Sequence, residues 1–264
     1  MVDNKLEGFV KSADEIEKIR ESCQIVADTL KLVEKNISIG ITTKELDDIA
    51  EDFILSCGGE PAFKGVDIGN GSPFGSTLCV SINEEVVHGI PSNRKLENGD
   101  IVSVDVGVVK NSYFGDAART FAVGEVSEEK RKLMDVTHES LMLGIEQAIP
   151  GNRLFDISKA IQTNVEKNGF SVVRDLVGHG VGRDLWEYPQ IPNFVPKPLL
   201  MNKKNNPILV EGVTFAIEPM VNYGTYNVKV REDKWTVYAA DMQPSAHYEH
   251  TILITKDKPE ILTL

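Results

Sequence analysis

Ile101-Val-Ser-Val-Asp105-Val-Gly-Val-Val-Lys110-Asn-Ser-Tyr-Phe-Gly-Asp116-Ala-Ala-Arg-Thr-Phe121 reads as a β-hairpin. Its first half is rich in β-branched residues and alternates as a strand should. Lys110-Asn111 breaks the pattern, and a second strand resumes at Ser112. With Lys110 and Asn111 as the turn, Asp105 stands directly opposite Asp116 on one face, with Cβ atoms about 5 Å apart. Two carboxylates at roughly 4 Å repel by about 4 kcal/mol at an effective dielectric near 20. A proton or a cation between them would explain such a pair. The other reading is two solvated aspartates in a slipped register, because Lys-Asn is not the favoured Asn-Gly turn.

The surrounding chain fits a soluble globular protein. It has 264 residues, 41% hydrophobic and 26% charged, with no apolar run approaching a membrane span and no signal-like N-terminus. Cys23, Cys57 and Cys79 are odd in number and lack Cys-x-x-Cys spacing, which indicates neither a disulfide framework nor a zinc knuckle. A cytoplasmic location is expected. The net charge of −12 argues against nucleic acid as the main partner, because phosphate binding needs a basic surface.

Four amphipathic helices are expected. The first runs from about Ala13 to Glu34 behind a Ser12/Glu15 capping box. The second follows a Thr42/Glu45 box and carries Leu46, Ile49 and Phe53 up to Gly58-Gly59. The third begins after Ser127 and reaches Ile149, and the fourth covers about Leu154 to Lys167. Gly40 and Gly58 bracket the second helix as Gly151 and Gly169 bracket the fourth, so the chain looks like a duplicated helix-pair-then-strands unit. Strands are expected at Leu78–Ile82, Ile101–Lys110, Ser112–Val123, Ser171–Val177, Val213–Ile217, Asn227–Arg231, Trp235–Ala239 and His247–Thr255. Hairpin-like connections make the sheet largely antiparallel, with helices outside, in an α+β fold of one domain (1–264). Asn193 to Glu211 reads as a long surface loop.

Three more segments carry ionisable residues that local structure does not explain. Gly178-His179-Gly180-Val-Gly182 places an imidazole in a glycine-rich turn. Thr214-Phe-Ala-Ile-Glu218 ends an apolar strand on a carboxylate. Ala246-His-Tyr-Glu249-His-Thr251 begins another with Glu249 on the face of His247 and Thr251. Singly, each has an ordinary reading as a turn or solvated residue. Together, two aspartates, two glutamates and one imidazole form an oxygen-rich set suited to Mn²⁺, Fe²⁺ or Co²⁺. Two of four carboxylates can bridge two metals about 3.5–4 Å apart and make water a nucleophile near neutral pH. That chemistry is hydrolysis.

The chain resembles the type I methionine aminopeptidases of the M24 metallopeptidases, which have the pita-bread fold. The matching segments are Ser81-Ile-Asn-Glu-Glu-Val-Val-His88-Gly-Ile-Pro91, Asp100-Ile-Val-Ser-Val-Asp105, Gly115-Asp116, Gly178-His179-Gly180-Val-Gly182-Arg183, Thr214-Phe-Ala-Ile-Glu218-Pro-Met220 and Tyr248-Glu249-His250-Thr251. The resemblance implies duplicated α-β halves with a curved sheet covered by helices. It implies Asp105, Asp116, His179, Glu218 and Glu249 as ligands of two divalent ions (Co, Mn, Fe, Zn or Ni), with Asp116 and Glu249 bridging. Glu218 would double as general base, and His88 would hydrogen-bond the substrate near the scissile amide. Cys79, Leu185 and Trp235, with Phe63 or Phe74, would line the methionine pocket, since soft and aromatic surfaces suit a thioether. The substrate would be the N-terminal methionine of nascent polypeptides, with room for a ribosome contact, no membrane partner, and a monomeric enzyme.

Two departures from that pattern stand out. A substrate-contacting histidine of the family is replaced by Trp186, and the loop Gly65–Phe74 is longer than usual. The indole has one N–H donor and can replace the histidine's hydrogen bond only if the ring is aimed at the cleft; we expect instead that it packs under the enlarged loop and that the enzyme is slow. Two other readings remain: an Xaa-Pro aminopeptidase relative, and a non-catalytic pita-bread binding module.

Overall fold

The computed structural model describes residues 5–69, 71–196 and 205–264. All four helices form, at Ala13–Asn36, Thr43–Ser56, Glu128–Glu146 and Leu154–Lys167. Both expected capping boxes are made: Ser12 with Glu15, and Thr42 with Glu45. Each uses the serine or threonine hydroxyl to satisfy an N–H that the first helical turn leaves unpaired. The third helix stops at Glu146, three residues short of the expected Ile149.

The central hairpin pairs Ile101–Lys110 with Tyr113–Ala122, but its register differs from the expected one. Asn111 and Ser112 are the turn, both at positive φ (52° and 65°), the primed geometry whose twist matches the strands. Asp105 therefore faces Ala118, and Asp116 faces Gly107. A slide by an even number of residues preserves the face, so the two carboxylates remain neighbours, now on a diagonal. Each stands opposite a small residue, and over Gly107 the Phe63 ring takes the room: a Cβ there would come within 2.6 Å of it. The turn was misplaced because serine gives little local signal for a left-handed conformation.

Leu78–Ile82 and Glu60–Pro61 pair with the other edge of Ile101–Lys110. A second sheet has the order Glu260–Ile261, His250–Leu253, Thr214–Ile217, Gly178–Gly180, Glu187–Ile191. Two three-stranded sheets complete the fold. One joins Ser245–His247, Met220–Asn222 and Ser171–Val172; the other joins Val228–Val230, Val237–Ala239 and Glu85–Val87. Every strand pair among the described residues is antiparallel.

The expected strand Ser171–Val177 ends at Val172, and His247–Thr255 is two strands interrupted at Tyr248-Glu249. Part of the expected loop Asn193–Glu211 lies outside the described residues. Its first residue is not a surface residue: Asn193 is buried and its Nδ2 donates to the Glu218 carbonyl at 3.0 Å.

The halves keep separate cores. One packs Val26, Leu30, Leu46 and Ile54 of the first helix pair against Val102, Val104 and Val106. The other packs Leu133, Leu141, Ile157 and Ile161 of the second pair against Phe215, Ile217 and Ile252. Gly40, Gly58, Gly151 and Gly169 all adopt positive φ, as the proposed duplication requires. No described helix is long and apolar enough to cross a membrane.

Candidate metal centre and active site

The five ionisable residues converge where the two halves meet. Asp105 and Asp116 come from the central hairpin of the first half. His179, Glu218 and Glu249 come from the second sheet and its connections. Ligand atoms of Asp116, His179 and Glu249 all lie within 4.8 Å of one another. His179 Nε2 is 3.9 Å from Asp116 Oδ2 and 3.6 Å from Glu218 Oε1. Asp105 joins the group as an interacting neighbour of Asp116, and both carboxyls line the same cavity.

The backbone explains this convergence. Thr251 Oγ1 accepts from Asp116 N at 3.1 Å and donates to Asp116 O at 2.7 Å. Glu249 N donates to Ala118 O at 2.8 Å. These contacts lock the Glu249 segment onto the Asp116 strand across the junction. His179 is not in a turn: Gly178–Gly180 is a strand between Thr214–Ile217 and Glu187–Ile191. A Cβ on Gly178 would sit 2.5 Å from Ala216 O, and one on Gly180 2.5 Å from Tyr188 O. The glycines flanking His179 thus let neighbouring strands close around it.

Asp116 and Glu249 are only 3% and 2% exposed. Asp105 Oδ1, Asp116 Oδ1 and Glu249 Oε1 are buried without a hydrogen-bond partner. Burial raises the carboxyl of Asp105 to about 7. Burial and the neighbouring carboxylates raise Asp116, Glu218 and Glu249 well above the ordinary range. Burial holds His179 neutral, lowered to about 4, the state in which imidazole binds a metal. Four carboxyls crowded out of water with orphaned oxygens, beside one neutral imidazole, fit divalent cations.

A pH dependence follows. Each carboxyl raised in the folded state stabilises the protein below its unfolded value, and that contribution is lost as pH rises through the folded value. For Asp105 the window runs from 3.8 to about 7. Metal-free protein should therefore lose thermal stability between about pH 4 and 8. A loss of ~1 kcal/mol lowers Tm by about 2–4 °C at this size, and a fall of at least that is expected. Added Mn²⁺ should restore more of it at pH 8 than at pH 5, because its ligands must be deprotonated. A flat Tm profile in scanning calorimetry of chelated protein would contradict the carboxyl cluster.

The five residues open into a cavity of about 620 Å³, whose walls include Phe63, Phe74, Cys79, His88 and Trp235. Cys79 pairs directly with Asp105 across the sheet. Cys79, Phe63, Phe74, Leu185 and Trp235 form one apolar cluster. The enlarged loop closes on itself through Gly65 N to Phe74 O at 2.7 Å and Phe74 N to Val66 O at 2.8 Å. Trp235 Nε1 donates to Ser72 O at 2.7 Å, and its ring meets Phe74 edge-on at 5.0 Å. The loop is thus a wall of the pocket. Trp186 does not pack beneath it. The indole is 54% exposed at the cavity rim, correcting the expectation above.

His88 follows the short Glu85–Val87 strand, and its ring reaches the cavity edge-on to Trp235, 6.2 Å between centroids. Sequence reasoning gave no role to two buried residues beside the site. Asp47 is buried in the second helix, where its Oδ1 accepts from Thr77 N (2.9 Å) and Leu78 N (2.8 Å), fixing the start of the Cys79 strand. His247 is buried, lowered to about 3 by burial and nearby His88, with Nε2 3.8 Å from Glu218 Oε2. An acid on a helix's apolar stripe was the available signal for Asp47.

Comparison with known proteins agrees with this geometry. The signature of metallopeptidase family M24 matches residues 17–256. A methionine aminopeptidase of Clostridium perfringens is 50% identical over 256 residues, covering 97% of this chain and 98% of its own. The crystal structure of methionine aminopeptidase from Thermotoga maritima superposes with a TM-score of 0.89 at 45% identity, covering 96% of this chain and 98% of that one. Prolidase from Pyrococcus furiosus shares the fold at a TM-score of 0.75 and 24% identity, with 100% of this chain on 68% of that one. An acidic, imidazole-bearing cleft at the junction of two similar halves is what this relationship predicts: the chain belongs to metallopeptidase family M24.

Proposed function

We propose that the protein is a cytoplasmic methionine aminopeptidase acting on nascent polypeptides, with Asp105, Asp116, His179, Glu218 and Glu249 holding two divalent cations. The observation that carries the reading is a buried carboxylate-imidazole cluster opening directly into an apolar pocket with a thiol and aromatic walls. The two halves act as one domain because each supplies part of the site. Fifty per cent identity with a methionine aminopeptidase over 97% of this chain supports the methionine reading over the Xaa-Pro one. Retention of all five ionisable residues opposes the binding-module reading.

Bound divalent cations supply the Lewis acidity that makes water a nucleophile near neutral pH. The chain's own groups do the rest. Cys79, Leu185 and Trp235, with Phe63 and Phe74, enclose the methionine side chain and exclude water from the thioether. His88 hydrogen-bonds the substrate beside the scissile amide. Glu218 accepts the proton of the attacking water and passes it to the departing amine nitrogen.

Purified protein with Mn²⁺ or Co²⁺ should cleave Met-Ala and Met-Gly peptides, slowly. Trp186 lies at the rim without supporting the loop, so Trp186→His should leave Tm unchanged. If the family's histidine is a substrate donor, that variant should turn over faster by up to about 10². Cleavage of Xaa-Pro but not Met-Ala peptides would favour the Xaa-Pro reading. No cleavage by either protein with two metals bound would favour the binding module.

A further inference from the structure

We infer that His247 is a positioning residue for Glu218, its Nε2–H steadying one carboxylate oxygen while the other serves the site. The Glu218 carboxylate lies between two imidazoles. Oε1 is 3.6 Å from His179 Nε2, and Oε2 is 3.8 Å from His247 Nε2. His247 is 1% exposed, and its Nε2 is buried with no hydrogen-bond partner. A buried N–H without an acceptor is costly, so such groups find one. The gap to Glu218 closes to hydrogen-bond length with about an ångström of carboxylate movement.

The main chain that carries the imidazole is held firmly. His247 stands directly opposite Met220 in its strand pair, two residues beyond Glu218. Its N donates to Thr120 Oγ1 at 2.9 Å, its O accepts from the same hydroxyl at 2.8 Å, and Ser103 Oγ lies 2.8 Å from Thr120 Oγ1. The main chain of Glu218 is held separately by Asn193. A carboxylate with one oxygen bonded from behind has fewer rotamers and aims its free oxygen consistently. For a proton acceptor, such orientation affects turnover more than substrate binding.

This inference rests on Glu218 being the proton acceptor of the proposed reaction. It is tested in the full chain with His247→Leu, which fills the space without a donor, and His247→Gln, whose amide N–H lies near the position of Nε2. Thermal unfolding checks the fold, Met-Ala peptide kinetics give kcat and KM, and titration calorimetry of metal-free protein gives the Mn²⁺ affinity. His247→Leu should lower kcat by about 10², keep KM within about threefold, and weaken Mn²⁺ by roughly tenfold or more, as loss of a partner behind a metal ligand does. His247→Gln should recover most of both. Wild-type kcat and Mn²⁺ affinity in a folded His247→Leu protein would overturn the inference. So would a His247→Gln protein as impaired as His247→Leu, since the ring would then act by packing. If His247→Leu does not fold, His247→Asn, polar but too short to reach Glu218, takes its place in the comparison. If the wild type cleaves no peptide, the aminopeptidase reading fails, and the Mn²⁺ affinities alone decide whether His247 steadies Glu218.

Discussion

Asp116→Ala or Glu249→Ala should abolish peptide cleavage, lowering turnover by on the order of 10³ or more, and should release at least one cation. Groups that act as a unit fail together when one is removed. Ligand atoms of these two residues and His179 all lie within 4.8 Å of one another, so removing either carboxylate would take away one of three groups that would hold a cation. The same substitutions carry an opposite signature in the metal-free protein. Burial and mutual repulsion raise both carboxyls well above their ordinary range, so deleting one should increase Tm after chelation at pH 8. Lower Tm with Mn²⁺ and higher Tm without it would separate lost ligation from misfolding. An Asp116→Ala protein with unaltered activity and metal content, by elemental analysis, would sink the assignment.

The sequence read best where one physical signal dominated. Capping boxes and apolar stripes located the helices, and the fourth matched its expected limits, Leu154–Lys167. The carboxylate pair was legible even though its register was wrong, because a two-residue slide keeps both acids on one face. The same reading failed where tertiary neighbours decide. Gly178-His179-Gly180 has the local chemistry of a turn, and only close approach of the Ala216 and Tyr188 carbonyls makes it a strand. Tyr248-Glu249 looked like strand because its neighbours are apolar. The chain is diverted there by the bond from Glu249 N to Ala118 O, formed with a strand more than a hundred residues earlier. The environment of Trp186 was misread because no local pattern reports that the enlarged loop closes through Phe74 and Trp235 instead.

His88→Ala should lower kcat by about 10²–10³, the effect of losing one preorganised donor, with metal content unchanged. The ring lies in the cleft wall, separate from the five clustered residues, and burial lowers it to about 4. It is therefore a neutral imidazole at working pH, able to donate one hydrogen bond without adding charge beside the cations. Its backbone points the same way. His88 sits at φ 59°, a left-handed conformation costing a non-glycine residue roughly 1–2 kcal/mol. Gly89 anchors the bend by accepting from Val80 N at 2.8 Å and donating to Ser81 Oγ at 3.1 Å. Backbone strain held at a residue that faces a cleft is the pattern of working sites, where the surrounding structure over-determines the conformation. His88→Gly should accordingly be more stable than His88→Ala, by about 1 kcal/mol, while both lose the same turnover. Loss of metal from either variant would mean that His88 is a ligand. Equal stability of the two would mean that the left-handed bend carries no strain, leaving the donor role to stand on kinetics alone.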